Sequence, residues 1–253
     1  MASWPSGTER QIFDSIDSTN AEAARRVASG VLAPAWIFSH EQTRGVGRRG
    51  RHWASPKGNF SASHVFPLTV PLARAALYSF VAANALYDTC AEVLGIDADL
   101  TLKWPNDVLL QGRKLAGILL ETMGQGPSHL CIGIGVNLNS LPEAQTLEQG
   151  AMTPIRLGDV LGSDIDPEAF LNRLAARFAN QAQSFTSHGF GPTRTLWLSR
   201  AARLGETLTA RTGQQVLTGT FETVDDTGAL VLQAPDKRHL ISAADIYFDE
   251  TGG

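Results

Sequence analysis

The order of apolar and polar positions predicts that strands and helices alternate in the first part of the chain. Short apolar runs bounded by Gly, Pro, Asn or Asp are typical of strands, and they occur at residues 12–17, 35–43 and 59–68. Apolar residues at helical spacing predict one helix within residues 18–30 and a longer one within residues 71–95. Residues 1–10 follow neither pattern and are expected to form a loose tail.

The first helix has recognisable signals at both ends. Thr19 and Glu22 have the spacing of a capping box, in which each side chain bonds to the backbone N–H of the other residue. Gly30 follows the last apolar position and is expected to end the helix.

The middle of the chain has the pattern of an antiparallel meander. Apolar runs at residues 99–104, 114–122 and 129–140 are separated only by short polar or glycine-containing turns. Parallel neighbours would need long crossover connections, so the short turns favour antiparallel pairing. Together with the helices, this pattern predicts an α+β fold in which a mixed, largely antiparallel sheet is flanked by helices.

After residue 140 the predicted structure is first irregular and then helical. Residues 141–165 are irregular and are expected to be mobile. Asp166, Pro167 and Glu168 then have the order of a helix N-terminus, and a second, shorter helix is expected within residues 193–201.

Short β patterns separated by turn sequences follow Gly205 and continue to the end of the chain. We therefore predict two domains, residues 1–205 and residues 206–253. The second domain has about 48 residues, which is close to the lower limit for independent folding. We expect it to lean on the first.

Composition and charge exclude several classes of protein. The 253 residues carry a formal net charge of −4 with a pI of about 5.9, which argues against a general nucleic-acid-binding surface. No apolar run has the length of a signal peptide or a membrane-spanning helix, so we expect a cytoplasmic protein with no membrane partner. Cys90 and Cys131 lie in apolar segments and are expected to be buried thiols.

Against this acidic background, residues 43–53 (TRGVGRRGRHW) hold four arginines and three glycines. The stretch matches GxGxxG, but the polar HWASPKGN that follows is not the helix that a dinucleotide-binding loop requires. Glycines let backbone N–H groups approach an anion, arginines bind phosphate or carboxylate, and Trp53 offers a face on which a base can stack. The stretch therefore indicates a nucleotide site, with a solvated basic loop as the alternative.

A second group of candidate residues is KWPND at residues 103–107. Lys103 could pair with a phosphate, and Asp107 could hold Mg²⁺ beside a triphosphate. The alternative is a turn in which Asn106 and Asp107 cap their own backbone. Lys114 begins the next strand after a tight turn, so it can lie close to Asp107.

Two further features are compatible with a binding site. Side chains are missing from neighbouring predicted strands at Gly117, Gly133 and Gly135. These glycines either clear a slot for a narrow ligand or allow tight packing. The segment Ser18–Asn20 lies at a helix N-terminus, where at least one residue is expected to cap the helix and the others could bind a small polar ligand.

Taken together, these segments resemble the motifs of the bacterial biotin protein ligases. That family has, in order, an STN segment, a Gln followed by GRGRxGRxW, and then KWPND, RKLAG and GxGxN. The matching segments are Ser18–Asn20, Gln42 with GVGRRGRHW, KWPND at 103–107, RKLAG at 113–117 and GIGVN at 133–137. The five motifs cover residues 12 to 140 in the family's order, and the C-terminal β pattern extends the resemblance to the whole chain.

The resemblance implies a class II synthetase-like catalytic domain with a small C-terminal SH3-like β domain. It also implies an activity: biotin and ATP form biotinyl-5′-AMP and pyrophosphate, and a lysine of the biotin carboxyl carrier protein of acetyl-CoA carboxylase then takes the biotin. The implied ligands are biotin, ATP and Mg²⁺. No enzyme nucleophile is needed, so catalysis would rest on charge neutralisation and alignment.

The family motifs imply a role for each matching residue. Those expected to bind biotin are Ser18, Thr19, Asn20, Gln42, Val46, Gly47, Arg48, Lys114, Gly117 and Gly135. Those expected to bind ATP or the adenylate are Gly45, Arg48, Arg49, Arg51, Trp53, Lys103, Asn106 and Asn137. The expected catalytic residues are Lys114, Arg48 and Arg51, with Asp107 as the Mg²⁺ ligand.

The sequence departs from the family pattern in two places. Val46 replaces the first arginine of GRGRxGR, so one contact to the bound intermediate is missing or comes from Arg44. The first motif begins at Ser18, which leaves no room for the winged-helix domain by which larger members bind DNA. The resemblance therefore implies a ligase that is not a repressor and has no DNA partner.

Two other functions stay open at this stage. A lipoate–protein ligase performs the same chemistry on a related fold, although KWPND and the arginine–glycine loop favour biotin. A non-catalytic nucleic-acid-binding module could use the basic loop, although the acidic net charge argues against it. The sequence also leaves open the carrier proteins that are modified and the choice between a monomer and a homodimer.

Overall fold

A computed structural model describes residues 3–31, 33–95, 98–126, 128–142, 152–212, 215–242 and 245–247. The larger of its two sheets consists of β1 (Glu9–Phe13), β2 (Ala35–Ser39), β3 (Phe60–Pro67), β4 (Leu100–Lys103), β5 (Asp107–Leu110), β6 (Arg113–Met123) and β7 (His129–Val136). Their order across the sheet is β1-β2-β3-β7-β6-β5-β4. Only β1 and β2 pair in parallel among these neighbours. The predicted mixed, largely antiparallel sheet with a meander is confirmed.

Helices cover both faces of this sheet. They are α1 (Thr19–Ala28), α2 (Leu72–Ala75), α3 (Tyr78–Leu94), α4 (Leu157–Leu161), α5 (Pro167–His188) and α6 (Phe190–Leu198). The main core, which includes α3 and α5, packs on the face that carries Trp36 and Ile118. Helix α1 packs on the opposite face through Ala23 and Val27, against a smaller apolar cluster that includes Cys131.

Several predicted boundaries are wrong. Strand β1 begins at Glu9, inside the segment that was expected to be a loose tail, because it hydrogen-bonds in parallel with β2. The single helix predicted over residues 71–95 is divided into α2 and α3. Of the irregular segment 141–165, residues 157–161 form α4, whereas residues 143–151 lie outside the described part of the chain.

The predicted capping box of α1 is also wrong. Ser18 is the N-cap, and its side chain accepts a hydrogen bond from the backbone N–H of Ala21. Thr19 is the first residue of the helix, and its hydroxyl instead lies near Gln42 and Ser63. The start of α1 is thus held both by its own cap and by contacts to other elements.

The second sheet lies in the C-terminal part of the chain. Its strands are β8 (Thr207–Arg211), β9 (Val216–Val224), β10 (Leu230–Gln233), β11 (Arg238–Ile241) and β12 (Asp245–Tyr247), in the antiparallel order β11-β10-β9-β8-β12. The ring centres of Phe221 and Trp197 of α6 lie 6.5 Å apart. Trp104 Nε1 also donates a hydrogen bond to the Gly228 carbonyl at 3.1 Å. The second sheet therefore packs against the preceding part of the chain, as expected.

Two expectations from composition can be compared with the structure. Cys90 and Cys131 are free and buried, and burial raises the pKa of both thiols well above its ordinary range. Within the described ranges, no helix has both the length and the apolar character needed to cross a membrane.

Candidate active site

A cavity of about 640 Å³ opens between the start of α1, the arginine–glycine loop and residues of β5, β6 and β7. It brings together most of the residues to which the motifs pointed. Those that line it are Ser18, Thr19, Asn20, Gln42, Val46, Gly47, Arg48, Arg51, Trp53, Lys103, Asn106, Asp107, Lys114, Gly117, Gly135 and Asn137. Gly45 and Arg49 are not among the lining residues.

The floor of the cavity is built from residues directly opposite one another on neighbouring strands. Asp107 pairs with Gly117, Gly117 pairs with Gly135, and Gly135 pairs with Ser61. Opposed residues in a sheet project their side chains to the same face. The two glycines therefore leave a shallow channel that begins at the Asp107 carboxylate.

Trp53 lies in this channel. A Cβ added to Gly135 would lie 2.3 Å from Trp53 Nε1, and one added to Gly117 would lie 3.4 Å from the same ring. Gly117 and Gly135 were expected either to clear a slot for a narrow ligand or to allow tight packing. Both descriptions apply, because the glycines leave a channel and the flat Trp53 ring packs closely into it. The side chain of Asn20 occupies the corresponding space above Gly133, where an added Cβ would lie 2.4 Å from Asn20 Oδ1.

The arginine–glycine loop is folded as an irregular hairpin. Gln42 pairs with Ser55, and the Gly47 N–H donates to the Arg51 carbonyl at 2.7 Å. Gly45 is required by close backbone packing, since an added Cβ would lie 2.3 Å from the carbonyl oxygen of Trp53. Arg49 lies at the exposed tip with a left-handed backbone (φ 57°), which explains why it does not reach the cavity.

One end of the cavity is neutral and rich in hydrogen bonds. The backbone N–H and the hydroxyl of Thr19 both donate to Gln42 Oε1, at 2.8 and 3.1 Å. Gln42 Nε2 donates to Ser55 Oγ at 2.9 Å. These contacts fix which end of the Gln42 amide accepts and which donates.

Asn20 belongs to the same neutral end and has a charged partner. Its Nδ2 donates to Glu121 Oε2 at 2.6 Å, and its Oδ1 is in hydrogen-bond contact with Ser63 Oγ. Ser63 Oγ also lies 2.7 Å from Thr19 Oγ1. Sequence reasoning did not identify Glu121 or Ser63, and neither residue belongs to one of the motifs.

The other end of the cavity is charged. Lys114 Nζ lies 2.8 Å from Asp107 Oδ1 and 5.7 Å from the centre of the Trp53 ring. Arg48 donates to Asn106 Oδ1 at 3.3 Å, which connects the hairpin to the KWPND turn. The Asn106 amide in turn donates to the Ile118 carbonyl at 2.8 Å. Proximity of Lys114 to Asp107, expected from the tight turn, is confirmed.

The backbone of Lys114 is held from two sides. Its N–H donates to the Thr153 carbonyl at 2.9 Å, and its carbonyl accepts from the N–H of Ile155 at 3.0 Å. Asn137 Nδ2 also donates to the Lys114 carbonyl at 3.4 Å. The neighbouring side chain of Arg113 donates to the Pro154 carbonyl at 2.7 Å. Residues 153–155 therefore hold both Lys114 and Arg113 in place.

The cavity also receives residues from outside the motifs. Met152, Arg203 and Ile246 line it. Ile246 lies on β12 of the second sheet, so both sheets contribute to one cavity. Sequence reasoning missed Arg203 and Ile246 because each is distant in the chain from the motif residues.

Charge is distributed very unevenly in this cavity. The cationic lining residues are Arg48, Arg51, Lys103, Arg113, Lys114 and Arg203. Among the described lining residues, Asp107 alone has a carboxylate side chain. A protein with a net charge of −4 therefore concentrates positive charge where several walls meet, which favours an anionic ligand.

Comparison with known proteins places this geometry in a family. Residues 12–139 match the biotin/lipoate A/B protein ligase family, and residues 204–249 match the biotin protein ligase C terminal domain. The chain is 48% identical to a biotin–[acetyl-CoA-carboxylase] ligase of Paracoccus denitrificans over 92% of this chain and 97% of that protein. It is 30% identical to the bifunctional ligase/repressor BirA of Bacillus subtilis, over 92% of this chain and 72% of that protein.

Solved structures agree with the fold. The biotin protein ligase from Aquifex aeolicus in complex with biotin and ATP superposes with a TM-score of 0.77 and 22% sequence identity. The match covers 94% of this chain and 97% of that one, so it includes both sheets.

Proposed function

Because the chain belongs to the biotin/lipoate A/B protein ligase family, we propose that it uses ATP to convert biotin into biotinyl-5′-AMP and then transfers the biotin to a lysine of a biotin carboxyl carrier protein. The observation that carries this proposal is a single cavity with a neutral hydrogen-bonding end and a cationic end. Biotin has a neutral ring system at one end and a carboxylate at the other, and ATP is an anion. Their chemistry matches this division of the cavity.

The neutral end is the proposed site of the biotin ring system. Ser18, Thr19, Asn20 and Gln42 line it, and the glycine channel of Gly117 and Gly135 runs from it towards the cationic end. Val46 and Gly47 of the hairpin also line the cavity. In this arrangement the carboxylate of biotin lies near Lys114.

The cationic end is the proposed site of ATP. Arg48, Arg51, Lys103 and Lys114 line it together with Asn106 and Asn137. We assign Trp53 to the adenine, because its flat ring lines the cavity and can stack on a base. Gly45 and Arg49 do not line the cavity, so any contribution of theirs to adenylate binding would come through the shape of the hairpin.

The first step brings two anions together. An oxygen of the biotin carboxylate attacks the α-phosphorus of ATP, and the bond from that phosphorus to the departing pyrophosphate breaks. Lys114 is the proposed catalytic residue, since an ammonium group at this position can hold both the carboxylate and an α-phosphate oxygen. Arg48 and Arg51 would neutralise the developing negative charge, and such preorganised cations contribute several kcal/mol in a dry site.

Mg²⁺ is part of the proposal, and the residues present fit it. Asp107 supplies one carboxylate at the start of the glycine channel, beside Lys114. The described residues include no cluster of three or more His, Cys, Asp or Glu side chains that could hold a metal ion alone. Mg²⁺ commonly binds through one or two carboxylates together with substrate phosphates and water. When bound, the ion would supply charge neutralisation to the triphosphate.

The second step transfers biotin to the carrier protein. The neutral amine of the carrier lysine attacks the carbonyl carbon of the mixed anhydride, the bond from that carbon to the phosphate oxygen breaks, AMP leaves, and the nitrogen loses a proton to solvent. The hairpin would shield the anhydride from water until the carrier lysine enters. A cytoplasmic location and the absence of a DNA partner stay predictions.

Pyrophosphate exchange tests the proposed function. The protein is incubated with ATP, Mg²⁺, labelled pyrophosphate and either biotin or lipoate. We expect label to enter ATP only with biotin, and biotin to appear on added carrier protein. Exchange that depends on lipoate would establish a lipoate ligase, and the absence of exchange with both acids would refute the proposal.

A further inference from the structure

Glu121 of β6 contacts Asn20, which lines the neutral end of the cavity. It lies four residues after Gly117 on β6, and the unbroken register with β7 puts both residues on the same face of the sheet. Its carboxylate accepts the 2.6 Å hydrogen bond from Asn20 Nδ2. The remote end of β6 is thereby connected to the start of α1.

This contact determines the orientation of the Asn20 amide. An ionised carboxylate can only accept hydrogen bonds, so it must face the NH₂ end of the amide. The carbonyl oxygen of Asn20 is then directed towards Ser63 and lies above Gly133 on the cavity floor. A reversed amide would turn the carbonyl oxygen of Asn20 towards the Glu121 carboxylate, and Asn20 is only 8% exposed although Glu121 itself is exposed.

We propose that Glu121 is a positioning residue that fixes Asn20 as a hydrogen-bond acceptor for the ligand and thereby selects a ring that carries N–H donors. This inference rests on the proposed function. The ureido group of biotin has N–H donors, whereas the dithiolane ring of lipoate has none. The Asn20 oxygen has a second lone pair beside the one that faces Ser63. A ligand that leaves this buried lone pair unused binds less well than one that donates to it.

Glu121→Gln is the direct test. Glutamine keeps the shape of the side chain but offers both a donor and an acceptor, so the Asn20 amide is no longer held in one orientation. In biotin-dependent pyrophosphate exchange we expect the KM for biotin to rise about tenfold, the effect of losing one charge-assisted hydrogen bond. The KM for ATP and kcat should stay within about twofold of wild type.

Glu92→Gln is the matched control. Glu92 lies on α3, packed on the other side of the sheet, and forms an ion pair with Arg177 at 3.0 Å. The substitution removes the same charge without touching the cavity, so the KM for biotin should not change. An equal rise in both variants would attribute the effect to net charge and overturn the proposal.

A double-mutant cycle shows whether Glu121 acts through Asn20. In an Asn20→Ala background, Glu121→Gln should add nothing to the KM for biotin, because the positioned amide is already absent. Additive effects would contradict the positioning role. A loss of kcat, or a parallel rise in the KM for ATP, would also contradict it, since either result indicates a general structural role.

The outcomes separate this inference from the proposed function. If the wild-type protein shows no biotin-dependent exchange, the proposed function itself fails. If the wild type is active and Glu121→Gln has an unchanged KM for biotin, only the role of Glu121 fails. Should Glu121→Gln not fold, Glu121→Asp decides by the same measurement, because the shorter carboxylate also loses its reach to Asn20.

Discussion

The indole of Trp53 rests directly on Gly135, so closely that a Cβ on this glycine would lie 2.3 Å from Trp53 Nε1. The same ring passes Gly117 at ordinary contact distance, 3.4 Å from an added Cβ. Trp53 belongs to the hairpin and Gly135 to the sheet. The contact therefore determines how closely the arginine–glycine loop approaches the cavity floor.

Gly135→Ala should displace Trp53, whereas Gly117→Ala should not. The first methyl group overlaps the ring, and the second meets it at normal van der Waals distance. The chain has five tryptophans, so Trp53 emission is isolated by subtracting the spectrum of each variant's Trp53→Phe counterpart. We expect a red shift of Trp53 emission in Gly135→Ala only. Identical spectra in the two variants would show that the indole does not rest on Gly135 in solution.

Arg48→Gly should let biotinyl-5′-AMP escape. Arg48 lines the cavity and connects the hairpin to Asn106, so its loss removes the proposed phosphate contact together with the contact to Asn106. We expect the adenylate to dissociate at least about tenfold faster, which corresponds to about 1.4 kcal/mol. The measurement is release of labelled adenylate in a chase with unlabelled biotin and ATP.

Arg49→Gly is the control for that experiment. It removes the neighbouring arginine, which lies at the exposed tip and does not line the cavity. Its left-handed backbone also suits glycine, so the hairpin should stay intact. Equal acceleration in both variants would mean that the loop acts through its total charge and that Arg48 has no specific role.

His64 should make the fold sensitive to mild acid. It is buried with its ring stacked on Trp36 and edge-on to Phe178, and its Nδ1 lies 3.1 Å from the Ala35 carbonyl. Burial lowers the pKa of His64 from its ordinary value of 6.5 to about 4. Between these values the unfolded chain binds the proton and the folded chain does not, so stability is full above pH 6.5 and falls as the pH falls.

The size of this effect can be measured by urea unfolding. Between about pH 7.5 and about pH 5, His64 should remove about 2 kcal/mol from the free energy of unfolding. His64→Phe keeps an aromatic ring without a titrating group, so its free energy of unfolding should fall less over the same range. Parallel pH profiles for the two proteins would show that His64 is not buried in the neutral form.

The sequence predicts best the elements that are determined by residues close together in the chain, such as tight turns and helix caps. The strands around KWPND and RKLAG are separated by tight turns, so their antiparallel pairing and the approach of Lys114 to Asp107 follow from chain geometry. The helix starting at Pro167 was predicted from Asp166 and Glu168, and Asp166 is indeed its N-cap. These contacts involve residues close together in the chain.

The missed features depend on residues that are distant in the chain. Asn20 and Glu121 are 101 positions apart, and nothing near Glu121 indicates its partner. Ser18 and Thr19 are both suitable N-caps, and tertiary contacts of Thr19 with Gln42 and Ser63 decide between them. Local spacing cannot show which of two adjacent hydroxyl groups has a distant partner.

Val46 remains a departure from the family pattern. It is 50% exposed at the rim of the cavity, where it pairs with His52 across the hairpin. Nothing in the structure explains why an apolar residue stands at this position.

Lys114 is the proposed source of the charge that allows biotin carboxylate to attack ATP. The most direct test of this role is the single-turnover rate of biotinyl-5′-AMP formation in Lys114→Ala, with Lys237→Ala, outside the cavity, as the control. We predict that Lys114→Ala stays folded and loses adenylate formation by about a thousandfold or more, equivalent to about 4 kcal/mol, while Lys237→Ala matches wild type. A folded Lys114→Ala protein that forms biotinyl-5′-AMP at a rate near that of wild type would show that Lys114 does not have this role.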